Sequence, residues 1–134
     1  GASTVVACLG DSNTARSYSY VGQLDERLET VDLLNFGRSG ATATNGTDDS
    51  YRLTDEYAEG LEAEASVYTL MLGTNDAKLG KVELWNATLY RRAMDEIIAT
   101  VLALPQRPRL LVMAPPPYVD FDDSWGPVAT NPIN

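Results

Sequence analysis

Residues 4–13 read TVVACLGDSN, an apolar run that ends at a glycine and passes into a polar turn. Such a run, without polar alternation, is typical of a strand buried on both faces of a parallel sheet. Cys8 lies inside the run, so we expect a small buried core residue there and not a reactive thiol. The polar residues that follow predict a turn from the strand into a helix around Asp11 and Ser12.

Strand-like and helical patterns alternate along the rest of the chain. Three more strand-like runs occupy residues 31–36, 67–72 and 110–114, and prolines end the last of them. Apolar residues at helical spacing lie between the runs: Val21, Leu24 and Leu28; Leu53, Tyr57 and Leu61; and Leu89, Met94, Ile97, Ile98 and Val101 within residues 84–104. Gly60 weakens the second of these helices near its end. The alternation predicts an α/β fold with a parallel sheet covered by helices on both faces.

The composition is that of one globular domain with an acidic surface. The chain has 134 residues, of which 44% are hydrophobic, which is enough for a single buried core. Its net charge of −9 repels phosphate backbones and anionic lipid headgroups, so neither nucleic acid nor a membrane is an expected partner. A single cysteine excludes an internal disulfide and a cysteine-based metal site. The sequons at Asn45 and Asn86 shift the expected location toward the secretory route.

Three polar segments stand at the ends of the first three strand-like runs. They are GDSN at residues 10–13, NFGRSG at residues 35–40 and GTND at residues 73–76. Because the carboxyl ends of parallel strands meet at one edge of a sheet, we expect these segments to converge on one cleft. A serine in a strand-to-helix turn has backbone N–H groups near its oxygen, and a helix N-terminus favours developing negative charge. The pattern indicates a nucleophilic serine beside an oxyanion hole.

Taken together, the three segments resemble the first three sequence blocks of the SGNH hydrolases, also called GDSL-type esterases and lipases. The resemblance extends from about residue 4 to residue 117. It implies a flavodoxin-like three-layer α/β sandwich and ester hydrolysis without a metal or an organic cofactor. The string MLGTNDAK at residues 71–78, with the prolines at 115–117, is similar to the arylesterase and carbohydrate-acetylesterase branches. That similarity implies small acyl esters, such as acetylated carbohydrate, as substrates.

The resemblance also implies roles for individual residues. Ser12 would be the nucleophile, and its own N–H, the N–H of Gly40 and the side-chain amide of Asn75 would form the oxyanion hole. Glycine lets the backbone approach a tetrahedral oxyanion, and a neutral amide donates a hydrogen bond without needing a counter-charge. Gly37 is expected to be a glycine required by backbone packing.

The chain contains no histidine. Members of the family carry a fourth block, Asp-x-x-His, near the C-terminus, and a serine without its base is a poor nucleophile. We therefore expect residues 1–134 to be one incomplete domain, lacking its C-terminal strand, the Asp-x-x-His loop and the last helix, and complemented by a second chain. A truncated form and a non-catalytic relative are the alternatives. Nothing in the spacing of Lys78 and Lys81 supports a Ser–Lys pair, and Asp120, Asp122 and Asp123 are expected in a solvated loop.

Simpler interpretations remain open for several residues. Ser12 could be a helix N-cap, and Asn75 could belong to an ordinary turn. Asp11 is expected to be a structural hydrogen-bond acceptor, and Arg38 a solvated loop residue, although it could contact a substrate carboxylate. Aromatic residues that could line a substrate pocket are Trp85, Tyr118 and Trp125.

Other classes of protein fit the sequence less well. A nucleotide-binding domain would need Gly-x-Gly-x-x-Gly or a Walker loop after the first strand, and neither is present. In a receiver domain, Asp76 would stand near the position of the phospho-acceptor, but the acidic pair expected after the first strand is missing. Carbohydrate binding without turnover, in the same cleft, is the main competing function.

Overall fold

Four parallel strands form the sheet. The computed structural model describes residues 3–46, 49–78 and 86–116. The strands are β1 (Thr4–Gly10), β2 (Val31–Gly37), β3 (Val67–Met71) and β4 (Arg109–Val112). Their order in the sheet is β2-β1-β3-β4, and every neighbouring pair is parallel. This is the flavodoxin-like order, so the predicted α/β class and parallel sheet are confirmed.

The helices lie between the strands, as the alternation predicted. They are α1 (Ser12–Ala15), α2 (Tyr20–Asp25), α3 (Asp55–Glu62) and α4 (Ala87–Leu102), and a 3-10 turn spans Tyr51–Leu53. The residue before each α-helix caps it, because its side-chain oxygen accepts a backbone N–H of the first turn. None of the described helices is long and apolar enough to cross a membrane.

The sheet is the middle layer of three. Ala7 and Leu9 of β1 belong to a core cluster that also contains Tyr57 of α3 and Ile97 of α4. Cys8, which lies between them in the strand, is fully buried on the opposite face, beside α2. Burial raises the pKa of the Cys8 thiol, in agreement with the prediction of an unreactive core residue.

Two of the predicted apolar helix faces are shorter than expected. Val21 is buried, but Leu24 and Leu28 are 37% and 40% exposed, and Leu28 lies outside α2, which ends at Asp25. Leu53 lies in the 3-10 turn before α3 and is 73% exposed, so its assignment to the buried face of that helix was wrong.

Gly60 has a packing role inside α3. A Cβ at this position would lie 2.7 Å from Cδ2 of Leu9, so the glycine lets α3 approach β1 closely. The helix ends two residues later, at Glu62, as the prediction of a weak end required.

Several sequence-based predictions fall on residues that the structure does not describe. They concern Leu84, Lys81, Trp85 and residues 117–134, which include Tyr118, Trp125 and the three aspartates.

Candidate active site

Ser12 begins helix α1 directly after the turn that leaves β1. The N-cap of α1 is Asp11, whose Oδ1 accepts the N–H of Asn13 at 2.9 Å. The interpretation of Ser12 as the N-cap was therefore wrong, and the assignment of Asp11 as a structural acceptor is confirmed. As the first residue of a helix, Ser12 has a backbone N–H without an intrahelical acceptor.

The turn that carries Ser12 is held tightly against β2. A Cβ on Gly37 would lie 2.3 Å from the backbone nitrogen of Ala15, so only a glycine allows α1 to sit there. Asn35 donates from Nδ2 to the carbonyl of Thr14 at 2.7 Å and accepts the N–H of Gly37 at 2.9 Å. Gly37 is thus the packing glycine that the sequence predicted, and Asn35 fixes the turn.

Gly40 occupies the third position of a tight turn. The N–H of Ala41 donates to the carbonyl of Arg38 at 3.2 Å, and Gly40 has φ +83°. A positive φ at this position, after a residue without one, is the geometry of a type II turn, which favours glycine. The hydrogen bond that closes the turn does not use the N–H of Gly40.

Asn75 follows β3 and is buried, with 5% of its surface exposed. Its Nδ2 donates to the carbonyl of Ala41 at 3.0 Å. A side-chain amide carries two N–H donors, so one remains for a ligand while the other holds the side chain in place.

The three polar segments, with Ala41 counted as the residue that extends the second, are joined in pairs by hydrogen bonds. The first and second meet through the N–H of Arg38, which donates to the carbonyl of Gly10 at 2.9 Å. The first and third meet through Asn13, whose Nδ2 donates to Oγ1 of Thr74 at 3.1 Å. The second and third meet through the bond from Asn75 to Ala41. Residues adjacent to Ser12, Gly40 and Asn75 are therefore in contact at the carboxyl edge of the sheet, where β1 lies between β2 and β3.

Comparison with known families agrees with this geometry. The sequence matches the GDSL-like lipase/acylhydrolase family over residues 8–133. The chain belongs to this family.

Solved structures share the fold of this GDSL-like chain. A proposed arylesterase from Agrobacterium tumefaciens str. C58 aligns with a TM-score of 0.66 and 21% identity, over 87% of this chain and 65% of its own. A family two carbohydrate esterase from Clostridium thermocellum, in complex with cellohexaose, aligns at 0.63 and 17%, over 88% of this chain and 45% of its own. An acetylxylan esterase from Geobacillus stearothermophilus aligns at 0.63 and 17%, over 92% and 64%.

The chain thus spans 45% to 65% of the length of these three proteins. Among curated protein sequences, none is a significant match to the chain.

Asp76 is the main residue of the GDSL-like site whose role the sequence did not predict. It is 1% exposed, and three donors from residues 43 and 44 contact its carboxylate. This burial contradicts the receiver-domain alternative, which requires an accessible phospho-acceptor. The sequence did carry a signal for this role. An acidic residue in a segment that is expected to be buried needs hydrogen-bond donors around it.

Asp11 is a buried carboxyl group with a raised pKa. It is 1% exposed, and its Oδ2 has no hydrogen-bond partner in the described part of the chain. Burial, with a smaller contribution from the nearby charge of Asp76, raises the pKa of Asp11 to about 6. The hydrogen bond from the N–H of Asn13 and the charge of Arg16 act in the opposite direction, but the effect of each is smaller than that of burial. The folded protein therefore binds a proton here more tightly than the unfolded chain does.

Asp11→Asn is expected to change how stability depends on pH. Because the folded pKa lies above 3.8, the stabilising effect of the protonated carboxyl is present below pH 4 and is lost as the pH rises through 6. Asparagine keeps the oxygen that caps Asn13 and cannot ionise. The free energy of unfolding of the variant should rise, relative to the wild type, by about 2 kcal/mol between pH 4 and pH 7. Urea unfolding across this range measures the difference.

The matched control is Asp95→Asn, which removes a carboxylate from an exposed position on α4. It corrects for the change in net charge. A difference between Asp11→Asn and the wild type that follows the control at every pH would contradict the assignment.

A polar pocket of about 200 Å³ lies beside Gly40. Its lining residues are Arg38, Ser39, Ala41, Asp49, Leu53, Thr54 and Asp55. Nη1 of Arg38 makes an ion pair with Oε1 of Glu56 at 3.1 Å, and the side chain is 58% exposed. Arg38 is therefore a largely exposed loop residue, as predicted, and its charge is already paired.

A second, more apolar pocket of about 370 Å³ lies beside the residue that follows Ser12. Asn13 and Tyr20 line it together with Met71, Met113 and the prolyl segment that follows β4. Within the described residues, no group of three His, Cys, Asp or Glu side chains is arranged to hold a metal ion.

Proposed function

We propose that the protein is a serine ester hydrolase that acts through an acyl-enzyme on Ser12. The observation that carries this proposal is the pairwise hydrogen bonding of the three polar segments. It gathers a serine, a backbone N–H and a buried amide donor at one edge of the sheet. Membership of the GDSL-like lipase/acylhydrolase family supports the same class of reaction.

In the proposed reaction, Oγ of Ser12 attacks the ester carbonyl carbon while a base takes its proton. The carbonyl oxygen becomes an oxyanion, which accepts hydrogen bonds from the N–H groups of Ser12 and Gly40 and from Nδ2 of Asn75. The alcohol then leaves with the proton, and water hydrolyses the acyl group from Ser12 by the same route. Helix α1 has only four residues, so the individual N–H donors would act here rather than a long helix dipole.

The base is proposed to be a histidine outside these 134 residues, oriented by an aspartate that is also outside them. The chain has no histidine, and it spans 65% of the length of the proposed arylesterase from Agrobacterium tumefaciens. We propose that a C-terminal strand, an Asp-x-x-His loop and a last helix complete the domain. They would be present as a complementing chain of the same protein.

Small acyl esters are the proposed substrates, with O-acetylated carbohydrate as the favoured class. The polar pocket beside Gly40 suits a hydroxyl-rich alcohol component, since its lining combines carboxylates, hydroxyls and one exposed leucine. Two of the structures with this fold are a carbohydrate esterase and an acetylxylan esterase.

A second candidate function is carbohydrate binding without turnover. The absence of histidine from the chain favours it, because the same cleft without a base would bind an ester and not cleave it.

A fluorophosphonate probe distinguishes the two functions. In the esterase, Oγ of Ser12 displaces fluoride at phosphorus, so the intact mass of this chain should increase by one phosphonyl group when the complementing chain is bound. Native mass spectrometry of the same sample should show that second chain and its Asp-x-x-His sequence. The 134-residue chain alone should not react at a comparable rate. If the complete assembly, meaning this chain with its complementing chain bound, binds acetylated oligosaccharide but is never labelled by the probe, the binding function is favoured.

A further inference from the structure

Asp76 joins the third polar segment to the backbone that follows Gly40. Its Oδ2 accepts the N–H of Ala43 at 2.9 Å, and its Oδ1 accepts the N–H of Thr44 at 2.8 Å and the Thr44 hydroxyl at 2.7 Å. Two consecutive backbone N–H groups facing one carboxylate form an anion-binding nest. With 1% of its surface exposed, Asp76 fills that nest away from solvent, where such hydrogen bonds are strong.

The same backbone segment is held at its other end by Asn75. The Nδ2 of Asn75 donates to the carbonyl of Ala41, so residues 75 and 76 hold residues 41–44 at both ends. A third attachment lies between them, because the N–H of Thr42 donates to the carbonyl of Asp49 at 2.9 Å and the carbonyl of Thr42 accepts from Tyr51 at 2.8 Å. Residues 41–44, directly after Gly40, are therefore held on one side by residues 75 and 76 and on the other by residues 49 and 51.

We propose that Asp76 is a positioning residue, which sets the distance between the N–H of Gly40 and the amide of Asn75. The inference rests on the proposed function, since it concerns the oxyanion hole of that reaction. The two donors lie in the loops that follow β2 and β3, and these strands are not neighbours in the sheet, because β1 lies between them. Strand pairing with β1 ends at Gly37 and Met71, before either donor, and the carboxylate of Asp76 holds the two loops together beyond the paired residues.

The kinetic test is Asp76→Asn in the complete assembly. An amide can accept from only one side, so its NH₂ would face the N–H of Ala43 or of Thr44, and the segment would shift. A misplacement of about 1 Å costs on the order of 100-fold in rate. We expect kcat to fall by about that factor while KM changes less than threefold. An unchanged kcat would overturn the proposal.

Tyr68→Phe is the matched control for the loss of a buried hydrogen bond. The Tyr68 hydroxyl donates to the carbonyl of Gly60 at 2.8 Å, at the opposite end of β3 from the site. This variant should lose stability and keep its kcat. The double variant of Asp76→Asn with Asn75→Ala should be little slower than Asn75→Ala alone, because both changes act on one oxyanion hole. Fully additive losses would contradict a shared role.

Amide hydrogen exchange tests the positioning independently of any activity. The N–H groups of Ala41 and Thr42 do not bond to Asp76, so faster exchange there reports loosening of the segment and not the mere loss of an acceptor. In Asp76→Asn we expect exchange at both to be at least about tenfold faster. Unchanged exchange would overturn the proposal even if the protein proved to have no esterase activity.

Thr44→Val is the second variant, in case Asp76→Asn does not fold. It removes only the hydroxyl bond to Oδ1 and nearly keeps the side-chain shape. A several-fold fall in kcat with unchanged KM would support the positioning role, and no change in kcat or in exchange would refute it.

Discussion

Ser12→Ala is expected to abolish ester hydrolysis by the complete assembly and to leave the fold intact. Removing Oγ leaves no atom to accept the acyl group, and loss of a serine nucleophile lowers kcat by at least about 10⁴-fold. The side chain of Ser12 makes no hydrogen bond within the described residues, so alanine should change the free energy of unfolding by less than about 0.5 kcal/mol. Steady-state hydrolysis of an aryl acetate and urea unfolding measure the two effects.

The control for this variant is Ser17→Ala, which removes an exposed hydroxyl five residues further on. It should retain full activity. Substantial turnover in Ser12→Ala would show that another group performs the attack, and the acyl-enzyme mechanism would have to be abandoned.

Asn75→Ala is expected to slow the reaction by 10²- to 10³-fold, or about 3–4 kcal/mol of transition-state stabilisation. The amide of Asn75 donates its strongest hydrogen bond when the carbonyl oxygen of the substrate has become an oxyanion. The loss should therefore appear in kcat, and KM should change little. The variant also leaves the carbonyl of Ala41 without its buried donor, which should cost about 1–3 kcal/mol of stability.

Asn75→Asp is the sharper companion variant. It keeps the size of the side chain and places a negative charge where an oxyanion would form, so it should be at least as slow as alanine. If Asn75→Ala raised KM and left kcat unchanged, the amide would bind substrate uniformly and would not belong to the oxyanion hole.

Much of the fold follows from local sequence patterns. The runs before Gly10 and Gly73 are mostly apolar, as strands buried in a parallel sheet are, and the structure forms β1 and β3 there; the edge strand β2, before Gly37, is only partly buried and also carries Asp32 and Asn35. Gly37 was predicted to be a glycine required by backbone packing, and a Cβ at this position would indeed meet Ala15. The long helix α4 was also predicted, because apolar residues recur at helical spacing over many residues of this segment.

What could not be predicted depends on contacts across the fold. Leu24 and Leu28 have helical spacing with Val21, but only tertiary structure decides that α2 stops at Asp25, before Leu28, and that both leucines are partly exposed. Both Asp11 and Ser12 can accept a backbone N–H, so the local sequence did not reveal that Asp11, and not Ser12, caps α1. The role of Asp76 rests on donors more than 30 residues away, which no local pattern reveals.

The pairwise bonds among the three polar segments all lie between Gly10 and Asp76, within one contiguous stretch of the chain. The donors of the proposed oxyanion hole therefore all lie within this stretch, and no residue after Asp76 is needed to supply them. Where the histidine arrives on a separate chain, that chain brings the base to donors already in place. The rate of ester hydrolysis measured for a sample would then be proportional to the fraction of molecules of this chain that have the second chain bound. The dissociation constant of the second chain would set how much activity a given concentration produces, while the rate at saturation stays the same.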